Sequence, residues 1–461
     1  PQRRTPPVAP RGGGPELSAR RATRAAKSYR AVTSKQAGNP LTKAIRANSA
    51  VAIAWAVPYN LVHRFRRNTS WCGARRVPAS FLPPVNVPHT QFRARAWTER
   101  GIRALQVTMR YGRDGRVVQF PDPNTTVLRM RPGVPVEDPD RAVADALLNP
   151  TGSRPLHDLA RGRGTACVVI SDITRPVPNR LILPPILQTI EAAGVRREDI
   201  LILIATGIHR PNEGDELIEL VGEAIASTYR VENHFSEDLE SHRDLGKTSN
   251  GTRVLIDERY CAADLKVTTA LIEPHLMAGY SGGRKAVCPG LASIETMKVM
   301  HGPGLLEHPS ASTGILDGNP FHEEALEIAR IAGVDFNLNV SLDENRALIG
   351  VFGGDINEAH RAGCAFVEER VRVDVEPAPI VVTTCAGHPL DQTFYQAIKG
   401  PVGALDAVQE GGSILLMSAC NEGIGSPPFE KLMHDTTDLT EFVEGLYDPA
   451  KFVIDQWQLE E

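Results

Sequence analysis

Short, continuous apolar runs separated by helix-length segments restrict the fold of this chain more than any other property. Thr165–Ile170, Ile200–Ile204, Leu265–Ile272, Ile380–Thr384 and Ser413–Met417 are such runs. They lack polar alternation and are too short for ordinary helices, so they read as strands, the first three as parallel strands covered on both faces. Asp140–Leu148, Pro155–Arg161, Ile182–Ala193 (stopped by Gly194) and Glu213–Leu220 read as helices between or before them. That alternation predicts an α/β fold with mostly parallel sheets. Leu105–Tyr111 and Val117–Phe120 predict a hairpin turning at Gly112–Gly115. Beyond Ile380, helix is expected at Ala397–Ile398 and Ala404–Val408, and Glu369–Pro379, with two prolines, is the expected linker. The expected organisation is a basic extension over 1–101, an N-terminal α/β domain over 102–374 and a second α/β domain over 375–461, with a cleft between the two domains.

Charge is unevenly distributed along the 461 residues. Residues 1–100 carry 19 Lys+Arg and 2 Asp+Glu, whereas the remainder carries 32 and 53. The basic segment, rich in Arg, Pro and Gly, is compatible with a disordered tail, a targeting segment, or sequence outside the functional domain. The acidic remainder argues against general nucleic-acid binding, which needs clustered Lys and Arg. Seven cysteines are scattered with no C-x-x-C pair, which favours a reducing compartment such as the cytoplasm. No window reaches the roughly 18 apolar residues of a membrane span. The nearest, Ala50–Val57, is far shorter.

In open parallel sheets, ligands bind beyond the carboxyl ends of the strands. Asp172 and Arg175 follow one expected strand, His209 and Arg210 the next, and His275 a third. The second domain offers His388, Asp391, Gln392, Tyr395, Gln396 and Lys399 at the equivalent end. Histidines and cations lining a cleft suit a small anionic substrate. His275 to Lys285 adds an imidazole, a Ser281-Gly282-Gly283 turn, Arg284 and Lys285, and His301 follows. Such a turn can receive a phosphate, and a lysine beside it can act as a charge or a nucleophile. Plainer roles stand beside these: Asp172 and Arg175 as a helix cap with an ion pair, His209 as a satisfied histidine, and His234 as a structural one.

Taken together, Ser171–Pro176, Ala205–Pro211, Glu273–His275, Gly279–Lys285, His301 and Pro389–Lys399 resemble the nickel-dependent lactate racemase family from about residue 102 onward. The resemblance implies a racemase or epimerase of a 2-hydroxy acid, lactate by default. It implies nickel held by a nickel-pincer nucleotide, pyridinium-3,5-bisthiocarboxylic acid mononucleotide, which dedicated biosynthetic enzymes supply. By motif, Lys285 is expected to bond the cofactor and His301 to ligate nickel. His209 and His275 are expected to be the acid/base pair, and Ser281, Gly282, Gly283 and Arg284 to cradle the phosphate. Asp172, Arg175, Tyr395, Gln396 and Lys399 are expected to orient cofactor or substrate. The implied route is hydride transfer from the substrate carbon, with one imidazole per enantiomer. The basic extension has no place in the family pattern, and the second domain is expected to end early, after the segment containing Asp455 and Trp457. A nicotinamide-type oxidoreductase or dehydratase is the enzyme alternative, although no strand–G-x-G-x-x-G–helix unit is evident. A non-catalytic nucleotide or anion carrier is the other.

Overall fold

The computed structural model describes residues 51–54 and 104–460, except 123. Apart from Val51–Ala54, the basic extension expected over 1–101 lies outside the described residues.

Two sheets carry the architecture. The larger has six strands in the order Leu348–Gly354, Phe336–Leu342, Leu265–Leu271, Ala166–Ser171, Ile200–Ala205 and Arg230–Asn233. All neighbours are parallel except the first pair, which is antiparallel. Alternate residues of the continuous apolar runs pack on opposite faces. Val168, Ile170, Ile202 and Ile204 join one core with the helix Asn179–Ala192. Cys167, Val169, Leu201 and Leu203 join another, with Phe321, Ala325 and Ile328 of the helix Pro320–Ala332. A strand packed on both faces needs no polar side, which explains the missing alternation.

The strand order reverses between Ala166–Ser171 and Leu265–Leu271. Later strands are added outward from the first in one direction and outward from the second in the other. Connections leave the sheet in opposite senses there, opening a crevice at the carboxyl ends. Asp172 and Glu273–His275 lie directly beyond those two ends.

The smaller sheet is wholly parallel, in the order Val408–Met417, Ala378–Thr384, Val51–Ala54 and Thr125–Leu128. Val51–Ala54 therefore corrects the expectation for part of the extension: an apolar run too short to span a membrane is long enough to be a central strand. The hairpin Ala104–Met109 with Arg116–Pro121 also belongs here, because Val107, Met109 and Phe120 pack against Val127, Val382 and Met417. Residues early in the sequence thus complete the later sheet, a docking choice that local patterning does not encode. The expected linker is shorter than read. The helix Glu358–Val371 runs into it and Ala378 opens the next strand. Val408, expected to end a helix, instead begins a strand. No helix among the described residues is long and apolar enough to cross a membrane.

Candidate active site at the strand-order reversal

The loops that follow the central strands are tied to one another. The Ile173 N–H donates to Asn212 Oδ1 at 3.1 Å, and Asn212 exchanges hydrogen bonds with Asn233 at 2.9 and 3.0 Å. Asp172 is buried. Its Oδ2 lies 2.7 Å from His209 Nδ1, while its Oδ1 accepts from Thr174 Oγ1 at 2.7 Å. Burial alone would raise the Asp172 carboxyl, but His209 and Arg175 outweigh it and hold the group below its ordinary value. A carboxylate accepting the Nδ1 proton leaves the His209 Nε2 lone pair free to act as a base. Asp172 is thus an orienting partner of His209 and caps no helix.

After Leu271 the chain forms a two-residue ladder of Pro274–His275 against Gly279–Tyr280. Gly279 has φ of 74°, and a Cβ there would lie 2.1 Å from the Ile315 carbonyl oxygen, so only glycine fits. The 3-10 turn Gly283–Ala286 then divides its cations. Lys285 turns into a cavity, where its Nζ lies 3.1 Å from His275 Nε2. Arg284 turns away and is fully buried. Its guanidinium donates to the carbonyls of Ala278 (2.6 Å) and Tyr280 (2.9 Å) and meets His360 Nε2 at 3.1 Å.

Two N–H groups of the expected phosphate cradle are engaged within the fold. The Ser281 N–H donates to Glu273 O, the Gly283 N–H to Asn339 Oδ1, and the Ser281 hydroxyl to Leu271 O. Ser281 and Gly282 still line the cavity; Gly283 and Arg284 do not. Adjacent residues of a tight turn point to different sides, so a Gly-Gly-Arg-Lys string cannot say which cation meets the ligand.

The cavity has a volume of about 150 Å³ and holds Asp172, Arg175, His209, His275, Lys285, His301, Tyr395, Gln396 and Lys399 in its wall. It adjoins a cleft of about 730 Å³ that shares Asp172, Arg175, His209, Tyr395 and Gln396. Burial, with Arg284, Arg175 and Lys399 nearby, drives Lys285 well below the usual amine range. Disfavouring the ammonium form makes a buried amine a better nucleophile. Burial and Lys285 likewise hold His275 well below its ordinary value, and the Ala278 N–H points at its Nδ1 at 3.4 Å.

His301 caps the helix Ile294–Met300, and its Nδ1 lies 3.2 Å from the Met297 carbonyl. Donation there leaves the Nε2 lone pair available, the arrangement a metal-ligating imidazole requires. Burial and Lys285 push its pKa down to about 3, so the ring is neutral. Both groups approach Phe321: Lys285 Nζ lies 5.0 Å from its ring centroid and the His301 ring 5.4 Å from it. Among the described residues, no cluster of three or more His, Cys, Asp or Glu is arranged to hold a metal.

The smaller-sheet half closes the other side. Lys399 Nζ donates to Gln396 Oε1 at 2.5 Å, and burial and Arg175 lower Lys399 to about 7. Asp391 serves the fold, accepting the Gly112 N–H at 2.7 Å and the Ala419 N–H at 3.2 Å. His234 is sealed against Asp257 at 3.0 Å, in agreement with a structural role. Sequence reading missed Trp457 as a wall residue. Its ring centroid lies 4.8 Å from that of His301, and its Nε1 donates to Tyr395 Oη at 3.0 Å. A lone tryptophan near the end of a sequence has no spacing that would reveal this.

Comparison with known proteins agrees with this geometry. Residues 111–314 match the lactate racemase N-terminal domain and residues 373–460 the lactate racemase C-terminal domain. A lactate racemase of Lactiplantibacillus plantarum is 38% identical over 317 residues, 68% of this chain and 74% of that protein. One from Thermoanaerobacterium thermosaccharolyticum is 34% identical over 354 residues, 76% of this chain and 83% of that protein. The apoprotein structure of a lactate racemase from T. thermosaccharolyticum superposes with a TM-score of 0.70 at 32% identity, covering 77% of this chain and 84% of the other. With identity of this extent over both halves, the chain belongs to the lactate racemase family of isomerases.

Proposed function

We propose that this chain racemises a 2-hydroxy acid, lactate in the first instance, with a nickel-pincer nucleotide bonded to Lys285 and its nickel ligated by His301. The observation that carries the reading is the approach to one ring, Phe321, of a buried amine whose ammonium form is disfavoured and of an imidazole whose Nδ1 is held by Met297 O. When bound, that group supplies a reversible acceptor for the hydride on the substrate carbon.

The chain's own residues bind, orient and move the proton. His209, aligned by Asp172, takes the hydroxyl proton of one enantiomer through Nε2, and His275 does so for the other. Arg175 and Lys399 hold the substrate carboxylate, with Gln396 fixing the Lys399 head group. Tyr395 and Trp457 close the cavity around His301 and exclude water. The six described cysteines are all free, which accords with a reducing compartment, and we place the protein in the cytoplasm beside the enzymes that make the cofactor.

Intact-mass spectrometry of the chain co-produced with those enzymes tests the reading. A covalent adduct and about one nickel per chain are expected, both lost in Lys285→Ala. An unmodified wild type in the presence of cofactor overturns it.

A further inference from the structure

The cleft extends beyond the groups assigned to the reaction, and its outer end is basic. Arg113, Arg346 and His388 line the same 730 Å³ space as Arg175 and His209. They come from three separate segments: the turn of the first hairpin, the turn between the strands Phe336–Leu342 and Leu348–Gly354, and the loop after Ala378–Thr384. Arg346 sits at φ of 66°, rare for a residue with a side chain. The turn is held there by Asp343 Oδ1, which accepts the N–H groups of Asn345 and Ala347 at 2.8 Å each. Arg346 donates to the His388 carbonyl, joining the two segments.

Glu219 lines the same cleft and acts on His388, so the positive character of this end rests on Arg113 and Arg346. Glu216 is engaged by Arg210 at 2.6 and 2.7 Å, Glu422 by Gln392, and Asp391 by backbone N–H groups. Among the described residues, neither Arg113 nor Arg346 forms an ion pair with a carboxylate. Burial with Arg110 and Arg113 alongside lowers Arg346, as expected where like charges gather. A three-carbon acid fills little of a cavity in the size range that holds a drug-sized ligand. The Ser281–Gly283 turn, its N–H groups mostly committed, leaves an anionic end of any large ligand without a partner there.

We propose that Arg113, Arg346 and His388 form an oxyanion subsite at the cleft mouth that receives the second anionic group of a ligand whose other end reaches the His209 cavity. Two ligands share that chemistry: a 2-hydroxy acid bearing a second carboxylate or a phosphate, and the phosphate of the mononucleotide. The assignment deepens the racemase reading and rests on it for the identity of the ligand, while the anion binding itself is measured without cofactor.

Isothermal titration of the full chain, cofactor-free, with inorganic phosphate, malate and lactate tests the subsite. Phosphate and malate are expected to bind at least about tenfold more weakly to Arg346→Gln and to Arg113→Gln than to wild type, with lactate unchanged. Two substitutions on separate turns guard against misfolding of either one. The loaded enzyme then separates the sources. A selective fall in kcat/KM for malate, with lactate turnover retained, assigns a dianionic substrate. Lower occupancy of the Lys285 adduct after co-production, with an unchanged malate-to-lactate ratio, assigns the cofactor phosphate. Equal binding of phosphate and malate to wild type and both variants overturns the subsite. If Lys285 carries no adduct but the anion dependence persists, the subsite stands and the racemase reading fails.

Discussion

The two sheets are built to different standards of burial. In the larger, the strands Ala166–Ser171 and Ile200–Ala205 are buried at every position but the last, and a core covers each face. In the smaller, the edge strand Val408–Met417 has no fully buried residue, and its core is a few side chains around Val381 and Ala404. The residues proposed for the chemistry divide along the same line. His209, His275, Lys285 and His301, which must hold fixed partners, stand on the well-packed half. Tyr395, Gln396, Lys399 and Trp457, which close over whatever enters, stand on the thinner half. Preorganisation is placed where packing already forbids movement.

The comparison can be broken most directly through turnover. His209→Ala, on the well-packed side, is expected to lower kcat by roughly 10²–10⁴ with KM little changed. Lys399→Met, on the thinner side, is expected to act mainly on KM. Steady-state kinetics in both directions decides, and the reverse assignment of kcat and KM effects would dissolve the division.

Stability sharpens it next. Leu203→Ala, in the core under the larger sheet, is expected to cost about 2–5 kcal/mol in urea unfolding. Leu415→Ala, 45% exposed on the smaller sheet, is expected to change stability by less than about 0.5 kcal/mol. Similar losses at the two sites would mean that the sheets are equally packed.

A pH effect of intermediate size is expected from the thinner half. Burial and Arg175 bring Lys399 from its ordinary 10.5 to about 7. An ammonium binds a carboxylate and a free amine does not, so lactate binding is strongest below that pH and weakens by about tenfold per unit above it. Calorimetric titration from pH 6 to about 9 reads this, and Lys399→Met should flatten the slope. The smallest effect is expected at the exposed Lys431–Asp435 pair, where Lys431→Ala should shift stability by no more than about 0.5 kcal/mol.

Much of this molecule was legible in its residues alone. Apolar runs marked the central strands to within a residue or two, because strands buried on both faces have no polar side to blur them. Glycine, histidine and lysine at strand ends marked the candidate site, since ligands gather where loops leave a parallel sheet. Tertiary structure alone decided which way each side chain of the Gly283–Ala286 turn points, so Lys285 enters the cavity while Arg284 is spent on backbone carbonyls. It also decided that Val51–Ala54 and the hairpin at 104–121 complete the later sheet, and that Trp457 meets His301. Local periodicity records which face of an element is buried. It does not record which distant surface buries it, because that choice depends on contacts between residues far apart in the chain.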